Sequence, residues 1–389
     1  MLSQIGGGDG LLNIIYFILF MVMIFLYPRL MTTQTIWKLE KDVAELEGMA
    51  EKSRSIALHA VSRKPTKEQK IAVKNFMEFF AVSPVDMDPY GIVKKVDMVV
   101  RQMDYRFTYF VNQIAPQASD IQKANIKDAL LGAMQSYQIA KIVRHFLETI
   151  KKYKIFQLAM ILQMQIPLIV RVAKAAVRAT KAFADGMPVG DGIGPLIAAR
   201  MMKKVTRFTE EEFVLGEAKI AGRNVFVSKA LGPGASTGYP GKFLLKLLKK
   251  QKIDRIITVD AALKMEGEKT GSLAEGVGVA MGGSGVDRYE IEEVALAKRI
   301  PLDAVAVKVS DEDALSVMKR ELVEAAPQAL KMVEAAVQRA GTKEKILIIG
   351  VGNTCGVGND SASVEIGMNK LAMHWKTEKS DEEKKSGWF

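Results

Sequence analysis

The sequence predicts an α/β domain with a mostly parallel sheet flanked by helices, preceded by an N-terminal transmembrane helix and an all-α region. Three observations carry this. Residues 11–27, LLNIIYFILFMVMIFLY, are apolar apart from Asn13 and hold no charge. Residues 65–183 repeat apolar side chains at helical spacing. From residue 186 onward, short β-branched runs alternate with helical stretches, the order of a sheet built from β–α units. The expected divisions are 1–30 for an extracytoplasmic N-terminus and membrane helix and 31–185 for a helical, basic, membrane-proximal domain. Residues 186–370 are expected to form the α/β domain and 371–389 a charged tail.

The first element is the anchor. A spanning helix needs about 20 residues, with a lower limit near 17, and Pro28 and Leu30 extend the run into the interface. No Lys or Arg precedes it and no small-residue cleavage pattern follows it, which excludes a secretory signal peptide. Arg29, Lys38 and Lys41 come after it. The positive-inside rule therefore predicts a single-pass protein of the cell membrane, with the N-terminus outside and the remainder cytoplasmic. Residues 31–185 carry 24 Lys and Arg against 15 Asp and Glu, a basic surface suited to anionic lipid. Nucleic acid is not expected, because no aromatic side chains interleave with the basic ones. The three histidines, His59, His145 and His374, lie far apart, and the single Cys355 precludes an internal disulfide.

Ile36, Leu39, Val43, Leu46 and Ala50 recur at heptad spacing. They predict either a stalk that oligomerises the chain or a helix packed on its own domain. Ile71, Val73, Phe76 and Phe80 mark the next helix, and Ile121, Ile126, Leu130, Leu131 and Met134 another. Residues 154–177 are strongly apolar, but Gln157, Gln163, Gln165 and Pro167 interrupt them. They are expected to form a buried helix of a bundle, a membrane-embedded segment being the alternative.

NVFVS (224–228), RIITVD (255–260), DAVAVKV (303–309) and KILIIGV (345–351) predict strands of a parallel sheet covered on both faces, because each is almost continuously apolar. Residues 212–227 predict a hairpin turning at Ala221-Gly222-Arg223. Helices are expected at 243–251, at 288–299 and as a pair split at Pro327. The turn VGDGIGP opens the helix LIAARMMKKV, and three more glycine-rich loops fall at strand ends: 231–241, 274–288 and 350–360. Ligands of open α/β sheets bind beyond the carboxyl ends of strands. These loops and two acids, Asp191 and Asp260, are therefore expected to meet in one cleft.

The glycine pattern is neither a dinucleotide fingerprint nor a P-loop: G-x-G-x-x-G spacing is missing from GVGNTCGVGND, and no GxxxxGK[ST] occurs. GDGIGP also opens decarboxylating dehydrogenases of the isocitrate type, but there it follows a strand, and AVRATKAFADGMPV is a poor one. The succession DGIGP, LGPGASTGYPGKFLLKLL, IDRIITVDAALK and GVAMGGSGVDRYEIEEVALAKRIPLDAVAV resembles the germination protease of spore-forming bacteria and, more distantly, hydrogenase maturation proteases. The resemblance spans roughly residues 190–310. It implies that Asp191 and Asp260 are the paired catalytic aspartates of a hydrolase acting on peptide or another amide.

In those proteases a strand ending in G-x-G-N precedes the acid-GP loop, and none does so here. KILIIGVGN is expected to fold back into its place, a permuted order that brings Asn353 and Thr354 beside Asp191. The whole layout is similar to an archaeal membrane family known as domain of unknown function 1512.

The cleft is expected to be lined by Gly190, Gly192, Gly194, Gly234, Gly238, Gly283, Ser284, Gly285, Gly352, Asn353, Thr354 and Asp360, the last competing with Asp191. Two facing carboxylates either share a proton or hold a divalent cation. Nickel or zinc chemistry is disfavoured, because no histidine falls in the matching region. The alternative is a non-catalytic membrane-tethered scaffold or ligand-binding module, and homo-oligomers are compatible with either. Cys355, with no histidine near it, is expected to be a small buried loop residue. Lys264 and Glu266 are expected to start a solvated helix.

Overall fold

The structure, a computed structural model, describes residues 7–81, 91–280 and 285–386. Five helices precede the sheet: α1 (Gly7–Val61), α2 (Lys67–Phe76), α3 (Ile92–Ile114), α4 (Asp120–Tyr153) and α5 (Phe156–Ala184). The chain divides into two compact units, residues 1–51 with 135–174 and residues 52–134 with 175–389.

The first unit is a three-helix bundle. Leu39, Val43, Leu46 and Ala50 of α1 are buried against Ala140, Val143, Leu147 and Ile150 of α4 and Ala159, Leu162, Ile166 and Ala173 of α5. The heptad seam of α1 is thus filled by helices of its own chain. Of the two readings of that seam, packing on its own domain is the one observed. From Phe156 onward, residues 154–177 lie in a helix of the bundle, as expected, but only one face of it is buried. Helical period gives α5 two faces: one packs into the bundle, while Met160, Ile161, Met164 and Leu168 stay exposed. Among the described residues Phe156–Ala184 is the one helix long and apolar enough to cross a membrane, and Leu12–Ile24 is a shorter apolar stretch. Every large apolar side chain from Leu12 to Ile24 is exposed.

The second unit holds a seven-stranded sheet: β1 (Val205–Phe208), β2 (Phe213–Ile220), β3 (Arg223–Ala230), β4 (Arg255–Leu263), β5 (Leu273–Val277), β6 (Leu302–Val309) and β7 (Ile346–Gly350). The order is β1-β2-β3-β7-β4-β6-β5. The four expected strands form its parallel centre, β3-β7-β4-β6. Their side chains alternate between two cores. Val225, Val227, Ile257, Val259, Ile346 and Ile348 face one layer, while Ile256, Leu347 and Ile349 face the other. Burial on both faces explains why these strands read as unbroken apolar runs. The first layer contains α6 (Ile193–Met201), α10 (Arg320–Arg339) and α11 (Ser361–Ser386). The second contains α7 (Pro240–Lys250) and α8 (Val286–Lys298). The hairpin β2–β3 turns at Ala221 and Gly222, both at positive φ (49° and 78°), which matches a two-residue turn to the sheet twist.

Three expectations are corrected. β1 and β5 were not foreseen, and β5 occupies part of the stretch 274–288 read as a glycine loop. The helix pair is not split at Pro327, which lies inside one continuous α10. Pro327 is exposed, and the one helical hydrogen bond it removes does not break α10. The break falls earlier. After the short α9 (Asp311–Ala314), Val317 bridges Val189 and the Met318 N–H donates to the Pro188 carbonyl at 2.8 Å. Lys264 and Glu266 begin a turn, not a helix, and Lys264 Nζ donates to the Glu268 carbonyl.

Candidate functional site

β3 and β7 end close to one level, Lys229 of β3 aligning with Gly350 of β7 and Gly350 with Val259 of β4, while β4 runs on beside β6 to Leu263. Asp260 is the next residue on β4. It is 7% exposed, and its Oδ1 accepts the Ala261 N–H at 2.8 Å. Asp191 arrives from another part of the chain, in the 3₁₀ turn Gly190–Gly192 that opens α6. The Gly190 N–H donates to the Ser316 carbonyl at 3.1 Å, tying that turn to the α9–α10 connection.

Glycine makes the approach possible. A Cβ on Gly194 would run into the Val259 carbonyl and lie 2.9 Å from Asp260 Cα. A Cβ on Gly350 would in turn lie 2.8 Å from the Gly194 carbonyl oxygen and 3.0 Å from Pro195 Cα. α6 therefore sits with its backbone directly on β4 and β7 and carries Asp191 to Asp260. β7, from KILIIGVGN, lies between β3 and β4, and the loop after it packs Thr354 against Gly192.

Asp260 senses Asp191. Burial pushes Asp260 well above the usual carboxylate range, and the charge of Asp191 pushes it the same way, against the Ala261 N–H. Burial also raises Asp191. Asp191 is nevertheless solvent-exposed. Of the two, Asp260 is the more strongly driven toward its protonated form.

Asn353 and Asn359 clip the glycine loops together. Asn353 Nδ2 donates to the Gly234 carbonyl at 2.7 Å and to the Thr354 carbonyl at 2.9 Å. Asn359 Nδ2 donates to the Gly232 carbonyl at 2.9 Å, while its Oδ1 accepts the Gly232 N–H at 2.7 Å. Ser236 and Asn353 exchange two backbone bonds. Yet Asn353 Oδ1 and Thr354 Oγ1 are buried without a hydrogen-bond partner among the described residues. Such orphans are rare enough to need a physical cause.

Most of the glycines serve packing. Gly190 abuts the Asp313 carbonyl, Gly234 the Ala124 side chain, and Gly238, at φ +64°, the ring of Phe213. Gly285, at φ +77°, has open space beside it, and a Cβ on Gly352, at φ +67°, would only touch the Ser236 carbonyl oxygen at 3.8 Å. Gly283 and Ser284 lie outside the described residues. Asp360 caps α11: its Oδ1 accepts the Ser363 N–H at 2.8 Å, which pulls its carboxyl below the usual range. Cys355 is fully buried beside Asn125, and burial pushes its thiol up to about 12.

Sequence reading missed Asp128 and Lys229. Asp128 of α4 is buried, accepts the Ala235 N–H and is raised to about 7 by burial; its Oδ2 has no partner among the described residues. Nothing local in QKANIKDAL signals this, because the loop it meets is more than 100 residues away. Lys229 lies fully buried, its Nζ donating to the Ala230 carbonyl at 2.8 Å, and burial lowers it to about 7. Its place in the strand NVFVSKA was the available signal.

The described residues hold no group of three or more His, Cys, Asp or Glu fit for a metal ion. A divalent cation here would have the two carboxylates and neighbouring carbonyls as its donors. A groove of about 1020 Å³ between Arg178, Asp313, Arg320, Lys370 and Trp375 shares none of the site residues. Several of its polar groups are already engaged: Lys319 pairs with Asp313, Arg178 donates to Ser316, and Lys370 donates to the Gly186 carbonyl. The aspartate pair, not groove size, marks the candidate site.

Residues 13–186 match the family model described as "Protein of unknown function (DUF1512) N-terminal domain", and residues 189–358 match "Domain of unknown function (DUF1512) C-terminal". The chain belongs to this family. No curated protein matches it. The C-terminal family domain contains Asp191, Asp260, Asn353 and Thr354 together, so the site and the loops that build it fall within one family unit.

Proposed function

We propose that the chain is a membrane-anchored hydrolase that cleaves peptide or another amide with Asp191 and Asp260. The observation that carries this is that α6 rests its backbone on β4 beside Asp260, so that the charge of Asp191, on a separate element, adds to burial in favouring the protonated form of Asp260. Asp260 would hold the proton and water-exposed Asp191 would be ionised. Asp191 would take a proton from water as the water oxygen bonds to the amide carbon. Asp260 would give its proton to the nitrogen as the C–N bond breaks. The orphaned oxygens of Asn353 and Thr354 beside the turn support a polar ligand there.

The anchor reading is supported by the exposed, uncharged stretch Leu12–Ile24. Although α5 has the longer apolar window, its bundle partners carry the ion pairs Arg144–Glu47 and Lys151–Glu40. A span at α5 would draw these charges into hydrocarbon. Arg29, Lys38 and Lys41 favour a cytoplasmic site.

The full chain in lipid nanodiscs, incubated with a mixed peptide library and read by mass spectrometry, tests the reading. Cleavage should vanish in Asp191→Asn and in Asp260→Asn; cleavage unchanged in both variants would sink it. A second reading, a non-catalytic ligand- or cation-binding module, is favoured by the packing of Gly190, Gly192, Gly194, Gly234 and Gly238 against protein atoms. It predicts manganese or peptide binding without turnover, lost in the same variants.

A further inference from the structure

The α4–α5 turn and the bundle end of the anchor helix share a level. Lys151 pairs with Glu40 at 2.8 Å and Arg144 with Glu47 at 2.6 Å. The step is seven residues on each helix and runs in opposite senses, so α1 and α4 are antiparallel. Continued toward the anchor, it brings Tyr153 level with Lys38, one residue from Trp37. These two aromatics are 61% and 79% exposed. Lys152 and Lys154 flank Tyr153, both exposed, and no acid among the described residues pairs with either. Ile155 is also 38% exposed. Two lysines, a tyrosine and a tryptophan at one level form the composition of a membrane–water boundary.

The spacing fits. Leu30, 61% exposed, precedes Trp37 by seven residues, about 10 Å along a helix. The headgroup layer extends roughly 5–8 Å beyond the hydrocarbon, and lysine stems let the ammonium reach toward it.

We propose that Lys152, Tyr153 and Lys154 of the α4–α5 turn, with Trp37 of α1, form a second membrane contact seated on anionic headgroups beside the anchor. This rests on the anchor reading above and adds a second point of attachment to it. The contact holds the bundle against the surface and would stop it pivoting freely on a single helix. Each lysine near an anionic surface contributes about a fivefold preference, so losing both weakens the contact about thirtyfold.

The test uses the full chain in nanodiscs of phosphatidylcholine with phosphatidylserine, some lipids carrying a headgroup nitroxide. A fluorophore is attached at Gln157→Cys in the first turn of α5; Cys355, fully buried, does not compete for the label. Quenching is expected at residue 157. It should fall in pure phosphatidylcholine and in Lys152→Gln/Lys154→Gln. It should be weak at Ile142→Cys, eleven residues from Tyr153 and about 16 Å farther along α4. A label at Phe20→Cys, read with acyl-chain nitroxide, reports the anchor. Quenching at residue 20 with none at 157 overturns the second contact and leaves the anchor; no quenching at residue 20 overturns both.

Discussion

Asp260 lies on β4 just past the level where β7 ends and Asp360 in the loop after β7, yet their surroundings drive them in opposite directions. Asp260 is buried beside a second acid with one backbone N–H to oppose the cost, and its carboxyl rises. Asp360 receives the Ser363 N–H and hydroxyl at the start of α11, and its carboxyl falls. Position on the sheet is therefore no guide to role. A satisfied acid stabilises the fold, whereas an enclosed, under-satisfied one stores a cost that a ligand or substrate can relieve. The contrast between the two acids can be broken or sharpened by substitution.

The largest expected effect concerns the two other buried ions near these loops. Lys229 titrates near 7 in the folded chain and near 10.5 unfolded. Between those values the unfolded chain binds more protons, so stability rises with pH from about 7 toward 10.5, by on the order of 5 kcal/mol. Asp128 titrates near 7 folded and 3.8 unfolded. In that window the unfolded chain binds fewer protons, so stability falls as pH rises from about 4 to 7, by on the order of 4 kcal/mol. Together they predict a trough near pH 7 in chemical-denaturation curves. Lys229→Met should flatten the alkaline limb and Asp128→Asn the acid limb. Slopes unchanged in both variants would mean that neither group is buried as charged.

Next in size is Gly194→Ala. The added Cβ meets the Val259 carbonyl, so α6 must back away from β4. A loss of about 3 kcal/mol is expected from such overpacking, with impaired cleavage because Asp191 moves off Asp260. Asp191→Asn probes the same proximity without the clash. Removing the neighbouring charge should lower the Asp260 pKa, read as a shift of its protonated-carboxyl infrared band to lower pH. A band that does not move would show that the two carboxyls are electrostatically independent.

What could be read from the sequence follows from burial. β3, β4, β6 and β7 were legible because both their faces are covered, and a short, continuous apolar run between turn residues suits a strand at the centre of a sheet. β1 and β5 are edge strands. VTRF and LAEGV are short and half polar, and a glycine interrupts the second, so their strand character comes from pairing with β2 and β6. The heptad of α1 was legible as a buried seam but not as to partner, since apolar spacing does not say which helix fills it. Pro327 misled because the one helical hydrogen bond it removes does not break α10. Asp191 and Asp260 were found through the order of glycine loops. Asp128 carried no comparable mark, since a lone acid on an amphipathic helix reads as solvated until its distant loop is seen.

The smallest effect tests the satisfied side of the comparison. Asp360→Ala removes the cap of α11, leaving the Ser363 N–H without its 2.8 Å acceptor, and should cost about 1 kcal/mol. Asp360→Asn keeps a capping oxygen and should cost a few tenths of that. Neither change should alter cleavage or the Asp260 infrared titration, because Asp360 does not contribute to the shift at Asp260. If Asp360→Asn instead abolished cleavage while leaving the melting temperature in place, Asp360 would belong to the reacting groups. The two acids would then form a single acidic site, and capping would be its secondary role.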